Sequence, residues 1–295
     1  MKTINFIMAG TFVVFLASCQ SNTQHNQKDW TVLFDGKDVS QWRGINSDTF
    51  PDKDWIVKDG LLTTDPTAGA QGDIITRKQY SNFELTLEFK LTEKANSGIK
   101  YFVVESLSGG GKSGIGLEYQ ILDDARHPDA KAGKNGNRTN GSLYDLIAAP
   151  TDKPVKSIGE WNTARIIAKG NIIEHWLNGK KIIEYKRDDP AFRKLVAESK
   201  YKDFPDFGLA RKGHILLQDH GDKVYFRNIR IRELTTSVFA GVSAIAQSSD
   251  VNINPDLLTK RWQALWVSYH TGLTGKFLWN GKSVTLKPGP QTVAL

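Results

Sequence analysis

Residues 83–91 read FELTLEFKL, and their strict alternation constrains this chain more than any other stretch. Phe83, Leu85, Leu87, Phe89 and Leu91 recur at every second position, with Glu84, Thr86, Glu88 and Lys90 between them. Side chains on a strand point alternately to opposite faces, whereas a helix would scatter the same apolar set around its axis. The stretch is therefore a β-strand, apolar on one face and wet on the other, as in an antiparallel sheet. One apolar sheet face needs a partner to bury it, so a second sheet is required.

The remaining signals agree. DWIVKDGLL sets two apolar runs around Asp59-Gly60, a hairpin turn dipeptide. Residues 161–186 form a three-strand meander with turns at Gly170-Asn171 and Asn178-Gly179, and Trp176 is read as core. HILLQDH (214–220) and KVYFRNIRIREL (223–234) read as a last hairpin around Gly221-Asp222. In its second strand Val224 and Phe226 share one face while Ile229 and Ile231 fall on the other, which predicts a β-bulge at Arg227-Asn228. DDPAFRKLVAESKYK (188–202) is the one helical candidate. Strands at this spacing, joined by glycine-rich turns in a chain of 295 residues with 26 Gly, predict an all-β fold. It would be a two-sheet antiparallel jelly-roll sandwich over residues 30–234 with one short helix.

The ends of the chain read differently. After Lys2, the apolar run at 4–18 is too short to span a bilayer comfortably and has secretory character. It closes in Leu16-Ala17-Ser18-Cys19, with the only cysteine of the chain, and resembles a bacterial lipoprotein signal. On this reading residues 1–18 are signal peptide, Cys19 is lipidated and 19–29 form a flexible tether. The protein would be exported and anchored to the membrane of the cell envelope, in the periplasm or on the outer membrane. The alternative is an ordinary signal followed by a buried free thiol. Residues 235–295 contain a second secretory-like segment, TTSVFAGVSAIAQSS. They read either as a fused fragment or as a C-terminal helix and a hairpin at Asn280-Gly281. Lys2 and this tail account for +4 of the formal +7, leaving +3 for 19–234 with no dense basic run. That charge pattern argues against nucleic acid as a partner.

The stretch GLEYQILDD (116–124) carries the functional question. Leu117, Tyr119 and Ile121 face the core, so Glu118 and Gln120 face outward, about 7 Å apart. In a curved sandwich the outer concave face suits a ligand, although outer strand faces are also polar merely because water covers them. Gln218 and His220 alternate with Ile215 and Leu217, and should leave the core on the same outer face. The geometry predicts that Glu118 and Gln120 share a cleft with Gln218 or His220. Asp123 reads as a metal ligand, a sugar binder or a turn former, and Asn96 as a site residue or part of a turn. Tyr144 could offer an aromatic platform to a sugar ring. Arg227 and Asn228 could hold hydroxyls or close a sheet edge. No His/Asp/Glu spacing marks a metal site, and no cofactor is indicated. A calcium on backbone carbonyls with Asp123 or Asp124 stays open as an alternative.

Seven motifs follow one another: LFDGKDVSQWRG (33–44), YSNFELTLEFKL (80–91), ANSGI (95–99), LEYQILDD (117–124), GSLYDLIAAP (141–150), GEWNTARIIAKGNIIEHWLNG (159–179) and LLQDHGDKVYFRNIRIREL (216–234). Together they resemble the 3-keto-disaccharide hydrolase family, over about residues 30–234. The resemblance implies a jelly-roll sandwich of concanavalin and laminin-G type acting on sugars whose C3 hydroxyl has become a ketone. Such a ketone acidifies the C2 proton, so a base can remove it and the enolate can expel the group at C1, with water adding afterwards. Under this resemblance Glu118 is the candidate base and Gln120 a substrate hydrogen-bonder. His220 becomes a second candidate for proton transfer, with Asn96, Asp123, Tyr144, Gln218 and Arg227 as candidate substrate contacts. The rival reading is a non-catalytic carbohydrate-binding module on the cell surface.

Overall fold

The structure is a computed structural model that describes residues 30–68, 72–204 and 206–234, together with four short strands in the tail. The signal segment, Cys19 and the tether lie outside the described residues.

Two antiparallel sheets face each other. The larger contains β1 (Thr31–Phe34), β3 (Trp55–Lys58), β4 (Leu61–Thr64), β6 (Phe83–Leu91), β9 (Trp161–Lys169), β10 (Ile172–Leu177), β11 (Lys180–Lys186) and β13 (Val224–Glu233). Its order is β11-β10-β9-β6-β13-β4-β3, with β1 also paired to β13. The smaller contains β2 (Trp42–Gly44), β5 (Ile74–Thr76), β7 (Asn96–Val103), β8 (Leu117–Leu122) and β12 (His214–Leu217), in the order β2-β5-β12-β7-β8. The all-β jelly-roll sandwich expected from the alternation is what forms. In the tail, β14 (Ala264–Val267) pairs with β17 (Gln291–Ala294), and β15 (Gly275–Trp279) with β16 (Lys282–Leu286).

Strand β6 is central in the larger sheet, between β9 and β13. All five of its apolar side chains are buried, each worth about 2 kcal/mol in water-excluded area. Beside it, β13 keeps both of its apolar pairs inward by the predicted bulge. Arg227 is opposite Glu88 and Arg230 opposite Thr86, so three steps on β13 meet two on β6. Asn228 absorbs the extra residue at a φ of 53°, a conformation that Asn tolerates better than most side chains.

Three expectations are corrected. The segments 214–220 and 223–234 are not a hairpin, because β12 and β13 belong to different sheets. The turn between them crosses the sandwich, and its Asp222 ties both sides by accepting the Asn96 N–H (3.0 Å) and the Thr64 hydroxyl (2.6 Å). In β10 the buried set is Ile173, His175 and Leu177, so His175 lies in the core while Trp176 sits on the outer face beneath Arg165. The helix is shorter than 188–202. An unpredicted turn, α1 (Asp129–Ala132), precedes it, and α2 spans Pro190–Ala197. Asp189 caps α2 by accepting from the Ala191 N–H, and Phe192 and Val196 are its buried face. The Glu198 and Ser199 N–H groups still bond back to its last turn, but the helix goes no further because Lys200 donates to Asp145 Oδ2 (2.9 Å) and Tyr201 to Ser199 Oγ (3.0 Å).

Candidate functional site

In β8, Leu117, Tyr119 and Ile121 enter the core as the alternation requires. Glu118 and Gln120 point to the other face, yet they are only 4% and 1% exposed. They are buried because two segments cover that face. The first runs along the free edge of β8: Gln120 donates to Ser142 O, Gly141 to Gln120 O and Tyr144 to Glu118 O. It seals an edge that would otherwise present unpaired backbone, and it delivers Tyr144. The second follows α2 and brings Lys200, Tyr201 and Phe204 over Glu118.

Beneath them lies β7. Gly98 is directly opposite Gln120, and Lys100 directly opposite Glu118. A methyl group on Gly98 would come within 2.4 Å of Glu118 Oε1, so the carboxylate reaches over that glycine. Asn96 belongs to β7 itself rather than to a preceding turn, and its Oδ1 accepts from Gln120 Nε2 at 3.4 Å. From β12 the chain continues into Gln218, whose N–H donates to Gly98 O. Asn96, Glu118, Gln120, Tyr144, Lys200, Gln218 and His220 line one small cleft of about 50 Å³. The juxtaposition of Glu118 and Gln120 with Gln218 and His220 is thus present in the fold.

The cleft is polar and partly unsatisfied. Gln120 Oε1 and Gln218 Oε1 are buried without a hydrogen-bond donor. Buried amide oxygens in that state have paid for desolvation without compensation, and they are ready acceptors for hydroxyls. Tyr144 donates its hydroxyl to Asp129 Oδ2 (2.8 Å), and its ring is flanked by Arg138 at 5.2 Å and the Lys200 ammonium at 4.1 Å. Burial raises the Tyr144 pKa, with the Asp129 contact adding to it. His220 is exposed at the rim. Lys100 is fixed under the cleft, donating to Gly114 O at 3.0 Å, with Asp73 Oδ2 3.7 Å away. Burial pushes the Asp73 carboxyl up against the pull of that ammonium.

Two candidates are not in the cleft. Asp123 is buried, but its carboxylate accepts from the Lys94 and Ala125 N–H groups and faces Arg126. It serves as a turn former beside a separate groove of about 490 Å³ that also holds Glu93, Asp124 and Lys156. The oxygens of Asp124 are likewise engaged, by the Asn140 N–H and Lys153. Arg227 is on the larger sheet, paired with Glu88 at 2.6 Å and lying 4.0 Å from the centre of the Trp161 ring. A strand of the opposite sheet, facing away from the sandwich, cannot deliver it to β8. Among the described residues no three His, Cys, Asp or Glu side chains converge as a metal site.

The sequence reading missed Lys200, Lys100 and Tyr201. Lys100 was legible in principle, since it alternates with Gly98 and Asn96 on β7. Lys200 was not, because a helix continued to 202 would have carried it elsewhere. A further polar group lies behind the cleft. His175 Nδ1 donates to Gly141 O (3.1 Å), and its Nε2 is 2.8 Å from the Tyr101 hydroxyl, itself 2.7 Å from that of Tyr185. Complete burial lowers the His175 pKa to about 4, so the ring is neutral and its one N–H holds the Gly141 turn against β8.

Residues 29–232 match the family described as the 3-keto-alpha-glucoside-1,2-lyase-like domain. A protein of Bacteroides thetaiotaomicron named 3-keto-disaccharide hydrolase is 34% identical over an alignment of 231 residues that covers 70% of this chain and 78% of that protein. A crystal structure from Parabacteroides distasonis, named as a candidate glycosyl hydrolase, superposes with a TM-score of 0.62 at 33% identity, covering 70% of this chain and 94% of the other. A second structure from the same organism gives a TM-score of 0.53 at 31% identity, covering 70% and 99%.

Proposed function

The chain belongs to the 3-keto-alpha-glucoside-1,2-lyase-like family, and from that premise we propose that this carbohydrate hydrolase cleaves 3-keto-glycosides by elimination followed by hydration. The observation that supports this reading is the Glu118 carboxylate, held across Gly98 beside two amide oxygens that have no donor. Gln120 and Gln218 accept hydroxyls of the sugar ring, and Tyr144 walls the cleft beside it. Glu118 removes the C2 proton, whose acidity comes from the C3 ketone. The electron pair passes to the ketone oxygen, where developing negative charge needs donors such as His220 and the Asn96 amide. The enolate then re-forms the ketone, its C2–C3 electrons form a C1–C2 double bond, and the C1–oxygen bond breaks to expel the group at C1. Water adds at C1 and a proton returns to C2, which completes the hydrolysis. This route needs no second carboxylate across the acetal, and among the described residues Glu118 is the one carboxylate lining the cleft.

The test is to incubate the purified protein with a 3-keto-glucoside and with its parent glucoside. Release of the aglycone from the keto sugar alone is expected; release from the parent alone would mean an ordinary glycosidase, and release from neither would end the enzymatic reading. Retained binding of the keto sugar by Glu118→Gln, with turnover lost, separates an enzyme from a binding module. We also propose export and anchoring through Cys19, which rests on the sequence alone; the expected result is fatty-acid labelling of the wild-type chain and none of Cys19→Ala.

A further inference from the structure

Glu118 and Lys200 each line two cavities. One is the polar cleft already described. The other, of about 230 Å³, is bounded further by Lys100, Gly114, Ile115, Gly116, Tyr201 and Phe204. Ligand pockets measure roughly 300–1,000 Å³, so neither cavity by itself accommodates a disaccharide. Their walls differ in chemistry. Apart from the shared Glu118 and Lys200, the cleft presents amides, a phenol and an imidazole, whereas the second cavity presents the rings of Tyr201 and Phe204, the Ile115 side chain and Lys100. Tyr201 is pinned there by stacking on Phe207, with ring centres 3.8 Å apart.

Elimination imposes its own geometry. The C2 proton and the C1–oxygen bond are on adjacent atoms, so the base and the group that protonates the departing oxygen must both reach the point where the sugar ring ends and the leaving group begins. Resting on the elimination reading above, we infer that Lys200 is the acid that protonates the departing oxygen and that the 230 Å³ cavity receives the leaving group, a ring-shaped alcohol with one flat apolar face. The other candidates are committed elsewhere. Tyr144 donates its proton to Asp129, Lys100 is bonded to Gly114 O and does not reach the cleft, and His220 lines only the cleft.

Lys200 is built for the task from both directions. Its backbone is held by Asp145, which Arg138 fixes in turn, and its ammonium rests over the Tyr144 ring. Burial lowers the Lys200 pKa, with Glu118 working in the opposite sense, although the residue as a whole is exposed. A lysine lowered in this way donates a proton more readily near neutral pH. The electrons and protons balance over the cycle. The C2 proton goes to Glu118, the C1–oxygen electrons go to the leaving oxygen, and that oxygen takes the Lys200 proton. On hydration the neutral amine takes a proton from the water that attacks C1, and Glu118 returns its proton to C2.

The experiment compares two 3-keto-glucosides on the wild-type protein, Lys200→Met and Lys200→Arg: one releasing a second sugar, one releasing an acidic nitrophenol that departs as the anion. Lys200→Met is expected to lose about 10²–10⁴-fold in kcat on the disaccharide, while its single-turnover release of nitrophenolate, which precedes hydration, stays nearly unchanged. That preserved release also shows that the variant folds. Lys200→Arg keeps the charge but cannot give up its proton, so it should fail on the disaccharide as Lys200→Met does. Equal losses on both compounds, or rescue by arginine, would overturn the acid role while leaving the elimination intact. A wild-type protein inactive on both would overturn the elimination and this proposal with it.

Discussion

Gly98 and Glu118 occupy one site jointly: the glycine has no side chain, and the carboxylate lies in the space a methyl group would need, 2.4 Å from Glu118 Oε1. The obstructed atom is the far end of a flexible side chain rather than backbone, so Gly98→Ala should fold and displace only the carboxylate. A base misplaced by about 1 Å costs about 10²-fold in rate. Loss of that order in kcat, with a melting temperature lowered by no more than a few degrees, is the expected outcome. Normal turnover in Gly98→Ala would show that the carboxylate position is unimportant.

Gln218 offers a different test because its Oε1 has no donor in the free protein. Gln218→Met replaces an unsatisfied polar atom by an apolar one of similar length. Stability should hold or rise, while KM for the keto sugar should rise roughly 3–10-fold, the worth of one hydrogen bond. Urea unfolding and initial rates on the same preparation measure the two effects.

His175 predicts a pH dependence of stability. Its folded pKa is lowered to about 4 from the ordinary 6.5, so below pH 6.5 the unfolded chain binds a proton that the folded chain refuses. Stability is therefore fully present above pH 6.5 and falls as pH drops towards 4, by roughly 3 kcal/mol in all. Urea denaturation at pH 7.0, 5.5 and 4.0 should show that decline, and His175→Gln should flatten it.

Glu105 acts in a lower window. Arg43 grips its carboxylate through two hydrogen bonds of 2.8 and 2.7 Å, and that contact holds its pKa down to about 2 from 4.5. The stabilisation is present above pH 4.5 and lost as pH falls through 2. The pair is partly solvated, so its worth is about 1 kcal/mol. Glu105→Gln should lower stability at neutral pH by that amount and remove the matching acid-side loss, as followed by thermal melting.

At the bulge, Asn228 has a φ of 53°. Asn228→Val should destabilise by about 1–2 kcal/mol, because a β-branched residue resists that conformation, whereas Asn228→Gly should be close to neutral. Comparable losses in both variants would point instead to the side-chain contact with Glu88, which Asn228 Nδ2 makes at 3.0 Å.

Much of this molecule was already determined by period-two alternation. That pattern acts locally: it assigns Phe83–Leu91 and Leu117–Leu122 to strands, turns Glu118 and Gln120 away from the core, and places a bulge where the phase of β13 breaks. The tight turns at Asp59-Gly60 and Asn178-Gly179 follow from the same local chemistry, with positive φ at all four residues. Tertiary structure decided what depends on partners distant in sequence. Alternation marks two faces without naming the strand that pairs with each edge, so β12 and β13, separated by one turn, could enter opposite sheets and carry Arg227 away from the cleft. It also cannot tell which of His175 and Trp176 turns inward, since the inner place goes to the ring whose hydrogen bonds are met there, by Gly141 and Tyr101. Lys200 reaches Glu118 only because Asp145, 55 residues earlier, takes the N–H that a longer helix would have used. Competition between a local helical bond and a distant carboxylate is settled by the assembled fold, because only there do the two acceptors stand within reach of the same donor.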